Sequence, residues 1–169
     1  MLIFLTGFMG CGKSYWGKRW AAVSGMSFYD LDWLIEQHER KPVADIFREN
    51  GESYFRNIES ALLRNHFSSN DGIVACGGGT PCFDDNMAWM NNHGYTVFLN
   101  AHPDYLLKNL TNETDNRPVL GNIDHERLLN FIHFKLKERE PVYKMAKMTL
   151  PAEALDDQTI HTIIASAHG

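Results

Sequence analysis

The chain has little cysteine, no long apolar run and no block of basic residues. Its three cysteines, Cys11, Cys76 and Cys82, form no C-x-x-C pair, and an odd number does not close into a disulfide frame. That usage suits a reducing compartment, so a cytoplasmic protein is expected. Eight histidines are present, but none shows metal-ligand spacing. No stretch approaches the roughly 20 apolar residues of a membrane span, and the apolar first residues lack the basic flank of a secretion signal. A net charge of −5 without a Lys/Arg block argues against a nucleic-acid partner. The switch signatures D-x-x-G and N-K-x-D are both missing, as are internal repeats, low-complexity segments and linkers. Residues 1–169 therefore read as one domain, long enough to bury roughly 68–70% of its unfolded surface. No heptad seam or large apolar run demands assembly, so a monomer is expected.

What is present is organised around Gly7-Phe8-Met9-Gly10-Cys11-Gly12-Lys13-Ser14, which fits G-x-x-x-x-G-K-[ST]. A short apolar run, Leu2-Ile3-Phe4-Leu5, precedes it, and residues 15–24 follow with Trp16, Trp20 and Val23 at helical spacing. Strand, glycine-rich turn and helix make up the setting in which this motif binds a nucleoside triphosphate. The glycines let the backbone turn its N–H groups inward toward phosphate oxygens, and the helix adds its positive end. Lys13 would reach the β- and γ-phosphates and Ser14 would offer its hydroxyl to Mg²⁺.

Further strands are predicted at 26–29, 73–76, 95–99 and 148–150. Between them run helices at 33–39, from 42 to a stop at Gly51, from 53 to about 67, around 88–90, and from 103 to about 111. Residues 111–122 are polar and aperiodic and read as a mobile loop. A helix capped by Asp124 follows, with Leu128, Phe131, Ile132 and Leu136 on its stripe. Ile160, Ile163, Ile164 and Ala167 mark a final helix. Strands alternating with helices predict an α/β fold, with a parallel sheet and helices on both faces. Ligands bind at strand carboxyl ends in such folds. The phosphate motif, the pair Asp30/Asp32 and the run Gly77-Gly78-Gly79 each follow a predicted strand, so they converge on one crevice.

Of the two aspartates, one would stand near Mg²⁺ and the other would accept a hydroxyl proton; the bland alternative is that they cap the helix at Trp33. Arg56 and Glu59 lie three apart, and as a surface pair would contribute only ~0.2–0.5 kcal/mol. The triple glycine is poor for stability and good for close backbone approach by a ligand, the alternative being a plain tight turn. Arg139 falls on the apolar stripe of its helix, where an arginine must snorkel or meet an anion. Arg117 precedes Pro118 in the polar loop and would close over a transferring phosphoryl group. Arginines outside the phosphate loop suit a carboxylate, and Asp32 with Glu59 suits hydroxyls, so the acceptor reads as a small hydroxylated acid.

This ordered set resembles the shikimate kinases from residue 2 to about residue 146. It includes Ile35-Glu36 behind the aspartates, Ile46-Phe47 leading to Gly51-Glu52, Phe55-Arg56-Asn57-Ile58-Glu59, Arg117-Pro118-Val119-Leu120, and Arg139 followed by Tyr143 and Ala146. The resemblance implies a three-layer P-loop NTPase fold, with a five-stranded parallel sheet in the order 2-3-1-4-5 and a lid at about 111–122. It implies ATP-dependent phosphorylation of the 3-hydroxyl of shikimate, a step toward chorismate and the aromatic amino acids. Gly10, Cys11, Gly12, Lys13, Ser14, Tyr15, Arg117 and Pro151 would contact ATP, with Ser14 and Asp30 on Mg²⁺. Asp32 would deprotonate the hydroxyl, with Lys13 and Arg117 completing catalysis. Arg56 and Arg139 would grip the carboxylate, Gly77, Gly78 and Gly79 would pack against the ring, Glu59 would orient the hydroxyl network, and Phe47 and Phe55 would wall it. The acceptor region would span about 32–60. Leu110 stands where many members carry an adenine-stacking arginine, and no arginine follows Arg139. The alternatives are another small-molecule P-loop kinase, such as a gluconate kinase, and a nucleotide switch without an acceptor.

Overall fold

This computed structural model describes residues 1–68, 70–112 and 124–168. β1 (Leu2–Thr6) leads into α1 (Lys13–Ser24), β2 (Phe28–Asp30), α2 (Leu31–Glu39) and α3 (Val43–Phe67). β3 (Gly72–Ala75), α4 (Asn86–His93), β4 (Tyr95–Asn100) and α5 (Pro103–Asn112) follow, then α6 (His125–Tyr143), β5 (Met148–Pro151) and α7 (Thr159–His168). Short 3₁₀ turns lie at Thr80–Cys82 and Ala152–Ala154. α3 contains the expected break: Gly51 has φ 81° and ψ 171°, so two helical halves meet at a kink.

All pairings are parallel and the strand order is β2-β3-β1-β4-β5. β1 is buried along its whole length and alternates between two cores. Ile3 and Leu5 pack with Trp20, Leu106, Leu128, Ile132 and Ile160 on one face. Leu2 and Phe4 pack with Leu31, Ile46, Phe55, Leu63 and Met90 on the other. Such two-sided burial suits a sheet covered by helices on both faces.

The register places the crevice. Leu5 and Asp30 both pair with Ala75, so the phosphate loop after β1, the aspartate ending β2 and the glycines after β3 emerge side by side. The chain moves to opposite sides of β1 in its two halves, which makes the β1 carboxyl end a topological switch point. Among the described residues no helix is long and apolar enough to cross a membrane.

Three expectations change. Phe131 is 42% exposed, whereas Leu128 and Ile132 are buried: Phe131 sits just off the stripe that these two define. Asp124 occupies the N-cap position of α6 but makes no side-chain cap; its carbonyl accepts from Leu128 N instead. The predicted loop at 111–122 loses its first two residues to α5, and its remainder lies outside the described residues.

Candidate active site

α1 begins without a side-chain cap and without an acidic residue in its first turn. Its N-cap is Gly12, at φ 96°, a left-handed conformation in which glycine carries no steric cost. The first-turn N–H groups are therefore left for an anion, next to the helix's positive end. Lys13 is 9% exposed and folds back over the loop, its Nζ donating to the carbonyls of Gly7 and Phe8 at 2.8 Å each. Cys11 is fully buried under the loop, 3.6 Å from that same Nζ, and Tyr15 is largely exposed beside it.

Ser14 Oγ donates to Asp30 Oδ2 at 2.7 Å. Asp30 Oδ1 accepts from Trp33 N at 3.3 Å, so this aspartate both caps α2 and reaches the phosphate loop. Its two predicted readings are not exclusive. Asp32 does not continue the strand; it lies in the first turn of α2 and reaches the crevice from there. Burial, then the charges of Asp30 and Glu59, push its carboxyl from an ordinary 3.8 up to about 6, against the pull of Lys13.

Beyond Asp32 the crevice continues into a second compartment. Phe47 and Phe55 pack ring to ring at 4.5 Å across the α3 kink. Arg56 Nη1 donates to Glu59 Oε2 at 2.7 Å, and its Nε and Nη2 donate to Glu52 Oε1 at 3.3 and 3.2 Å. The guanidinium carbon lies over the Phe83 ring, 4.1 Å from its centroid. Glu59 is wholly buried, and burial raises its pKa although Arg56 and Thr80 pull it down. Arg139 reaches in from α6, over the Phe8 ring at 5.9 Å. Among the described residues it has no ion-pair partner, which leaves its fork for an incoming anion. Four residues on, Tyr143 donates its hydroxyl to Gly78 O at 2.5 Å and ties α6 to the triple glycine.

The glycines are needed for space. A Cβ on Gly77 would sit 2.9 Å from Asp32 Oδ1, and one on Gly79 would sit 2.5 Å from Arg56 Nη2. Two adjoining cavities result. One, of about 260 Å³, is lined by Gly10, Gly12, Lys13, Ser14, Tyr15, Asp30 and Asp32 among others. The other, of about 160 Å³, is lined by Phe47, Phe55, Arg56, Glu59, Gly79 and Arg139 among others. Met9, Asp32, Gly77 and Gly78 belong to both walls, so Asp32 stands at the junction.

Arg117 lies outside the described residues. Pro151 ends β5 and lines a separate cavity of about 900 Å³ with His102, His133 and Lys144, whose wall contains no phosphate-loop residue. The loop after β5 instead meets α1, where Arg19 grips Asp157 at 2.6 and 2.5 Å and Trp20 Nε1 donates to Asp156 O at 2.8 Å. Leu110 packs against the loop; a Cβ on Gly10 would lie 3.0 Å from its Cγ. Met9, Thr80 and Phe83 carried no readable signal beyond their closeness to glycine motifs.

A phosphate cradle that opens through one shared carboxylate into an arginine-lined pocket defines a P-loop kinase acting on a small acid. The chain belongs to the shikimate kinase family, whose model matches residues 9–167. A shikimate kinase of Bacteroides thetaiotaomicron is 42% identical over 156 residues, which span 92% of this chain and 89% of the relative. The crystal structure of the shikimate kinase from B. thetaiotaomicron matches with a TM-score of 0.87 at 40% identity, over 99% of this chain and 94% of that one. The shikimate kinase from Acinetobacter baumannii, solved in complex with shikimate, gives a TM-score of 0.81 at 29% identity, over 96% and 90% of the two chains.

Proposed function

We propose that this member of the shikimate kinase family transfers the γ-phosphoryl group of ATP to the 3-hydroxyl of shikimate, giving shikimate 3-phosphate and ADP on the route to chorismate. The observation that carries the reading is the position of Asp32, in the wall of both compartments. A carboxylate there touches the reacting hydroxyl while the phosphoryl donor lies on its other side.

ATP phosphates take the place of the carbonyls that Lys13 now holds, with its ammonium and the free N–H groups of α1 around them. The hydroxyl of Ser14 and the carboxylate of Asp30, 2.7 Å apart, are a hard oxygen pair that fits Mg²⁺. Bound there, the ion would neutralise charge on the phosphate oxygens. The acceptor carboxylate is gripped by Arg139 and by the Arg56 edge that Glu52 occupies here. Its ring lies on the bare backbone of Gly77 to Gly79, between Phe47 and Phe55. The 3-hydroxyl oxygen then bonds to the γ-phosphorus and the bond to the β,γ-bridging oxygen breaks. ADP leaves with that electron pair, and Asp32 takes the hydroxyl proton. A carboxyl that binds its proton near neutrality suits this step. We read the working form as a cytoplasmic monomer; the three cysteines are free, and two are buried.

The test is ADP release with ATP and Mg²⁺ in the presence of shikimate, gluconate or no acceptor. Stimulation by shikimate alone is expected. Stimulation by gluconate, or by neither acid, would overturn the assignment.

A further inference from the structure

Glu59 is engaged from two sides. Oε2 accepts from Arg56 Nη1 at 2.7 Å, and Oε1 accepts from the hydroxyl of Thr80 at 2.5 Å. Thr80 is fully buried, and its hydroxyl is spent on this one carboxylate oxygen. Its backbone is also fixed on both sides. Its amide donates to Gly77 O at 3.1 Å, and its carbonyl accepts from Asn86 Nδ2 at 2.9 Å. Asn86 is itself buried and locked, donating to Ser60 Oγ at 3.0 Å and accepting from Arg64 Nη1 at 2.7 Å. A rigid network thus runs from α4, through the turn after the triple glycine, to a carboxylate on α3.

We propose that Thr80 is a positioning residue for the acceptor site: its hydroxyl holds Glu59 ionised and turned toward Arg56, so that the guanidinium stays aimed into the pocket. The inference rests on the reading of Arg56 as a grip on the acceptor carboxylate. A buried carboxylate survives ionised only when donors satisfy its oxygens. The ionisable groups facing Glu59 are Arg56 on its own helix, Asp32 from α2, Arg139 from α6, the Cys76 thiol after β3 and the Cys82 thiol in the turn after the glycines. Asp32 is an acid, a thiol that burial keeps protonated is a weak donor, and Arg56 is already bonded to Oε2; Arg139 acts on Glu59 through its charge and, among the described residues, makes no hydrogen bond to it. Without the Thr80 hydroxyl, Oε1 loses its hydrogen-bond donor while the charge of Asp32 still acts on it, and Glu59 takes up a proton more readily. A neutral Glu59 holds Arg56 weakly, and the acceptor loses its anchor while the phosphate loop is untouched.

The experiment compares Thr80→Val, which keeps shape and removes the hydroxyl, with Thr80→Ser, which keeps the donor. Where valine prevents folding, Thr80→Ala removes the same hydroxyl without a second methyl. At pH 7 the variant lacking the hydroxyl is expected to raise the KM for shikimate about tenfold, the scale of a lost hydrogen bond to a charged group. Its KM for ATP should stay within about twofold, because the phosphate loop keeps every contact. The acid limb of kcat/KM for shikimate should move to higher pH, and Thr80→Ser should restore both values. An unmoved limb, serine and valine behaving alike, or equal rises in both KM values would overturn the inference. Arg56→Lys, measured alongside, separates the two ideas. If it leaves the shikimate KM unchanged, the acceptor reading itself fails; if it raises that KM while the Thr80 variant does not, only the role of Thr80 fails.

Discussion

Arg56 Nη1 lies 2.7 Å from Glu59 Oε2, within a helix whose other face is packed on the sheet. Glu59 has no exposed side-chain surface and Arg56 has only 12%, so this is an ion pair built inside the protein. An exposed pair at the same spacing would contribute a few tenths of a kcal/mol. A buried one is costly to form and more costly to break, which makes it a poor stabiliser and a precise holder of a guanidinium.

The first prediction concerns that fork. Arg56→Lys keeps the charge but not the planar set of donors that meets Glu59 on one edge and a carboxylate on the other. We expect a rise in the KM for shikimate of about ten- to a hundredfold, the range for a lost charged hydrogen bond, with the KM for ATP little changed. Steady-state kinetics with each substrate varied in turn checks this. A matched rise in both would remove Arg56 from the acceptor compartment.

Glu52 is the second. Its carboxylate is 56% exposed and sits on the Arg56 edge that the acceptor would use. Glu52→Gln removes that internal competitor, so the KM for shikimate should fall by about twofold, as suits an exposed pair. A higher KM would mean that Glu52 helps to hold Arg56 instead of occupying it.

The third prediction uses the glycines. A methyl on Gly79 would sit 2.5 Å from Arg56 Nη2 and 2.8 Å from its Cζ and Nη1, so the guanidinium must leave Glu59 while the backbone need not move. Gly79→Ala should therefore still fold, with a melting temperature lowered by the broken pair, and bind nucleotide normally, but lose most of its shikimate-dependent turnover. Thermal melting with and without ATP, beside the turnover assay, tests the separation. Loss of the folded state would assign the glycine to backbone geometry.

Asp32 gives a pH dependence with a defined sign. Its carboxyl is raised from 3.8 to about 6 in the folded chain. A raised carboxyl favours the fold at low pH, and that contribution is lost as pH climbs through the folded value. Asp32→Asn removes the loss. In the absence of nucleotide the variant should match the parent near pH 4 and exceed it above pH 6–7, by roughly 1–2 kcal/mol for a part-buried group. At about 2–4 °C of melting temperature per kcal/mol, the difference is measurable by calorimetry. A gap that shrinks with rising pH would contradict the assigned direction.

The phosphate loop and the order of elements were legible because backbone demands there restrict residue type. Gly12 needs a left-handed φ, and the strand–turn–helix context leaves few other readings. The Asp30/Asp32 pair was legible as chemistry but not as geometry. The chain changes from strand to helix between them, so one becomes a cap and the other a helix-borne acid. Arg56 and Arg139 were readable singly, but their meeting depends on how α6 is tied to Gly78 by Tyr143, a contact 65 residues long. Thr80 and Phe83 left no trace, because a threonine and a phenylalanine after a glycine turn are ordinary residues until their partners are known. Pro151 rests only on the resemblance, as cover for the base where no arginine follows Arg139; it ends β5, and the loop beyond it is joined to α1 through Asp156 and Asp157.

The most direct test of the central claim is to identify the product. The purified chain is incubated with ATP, Mg²⁺ and shikimate, and the product is read by phosphorus and proton NMR. One phosphate ester is expected, on the 3-hydroxyl, formed in step with ADP. Phosphate on another hydroxyl, or ADP released without a phosphorylated acid, would contradict it.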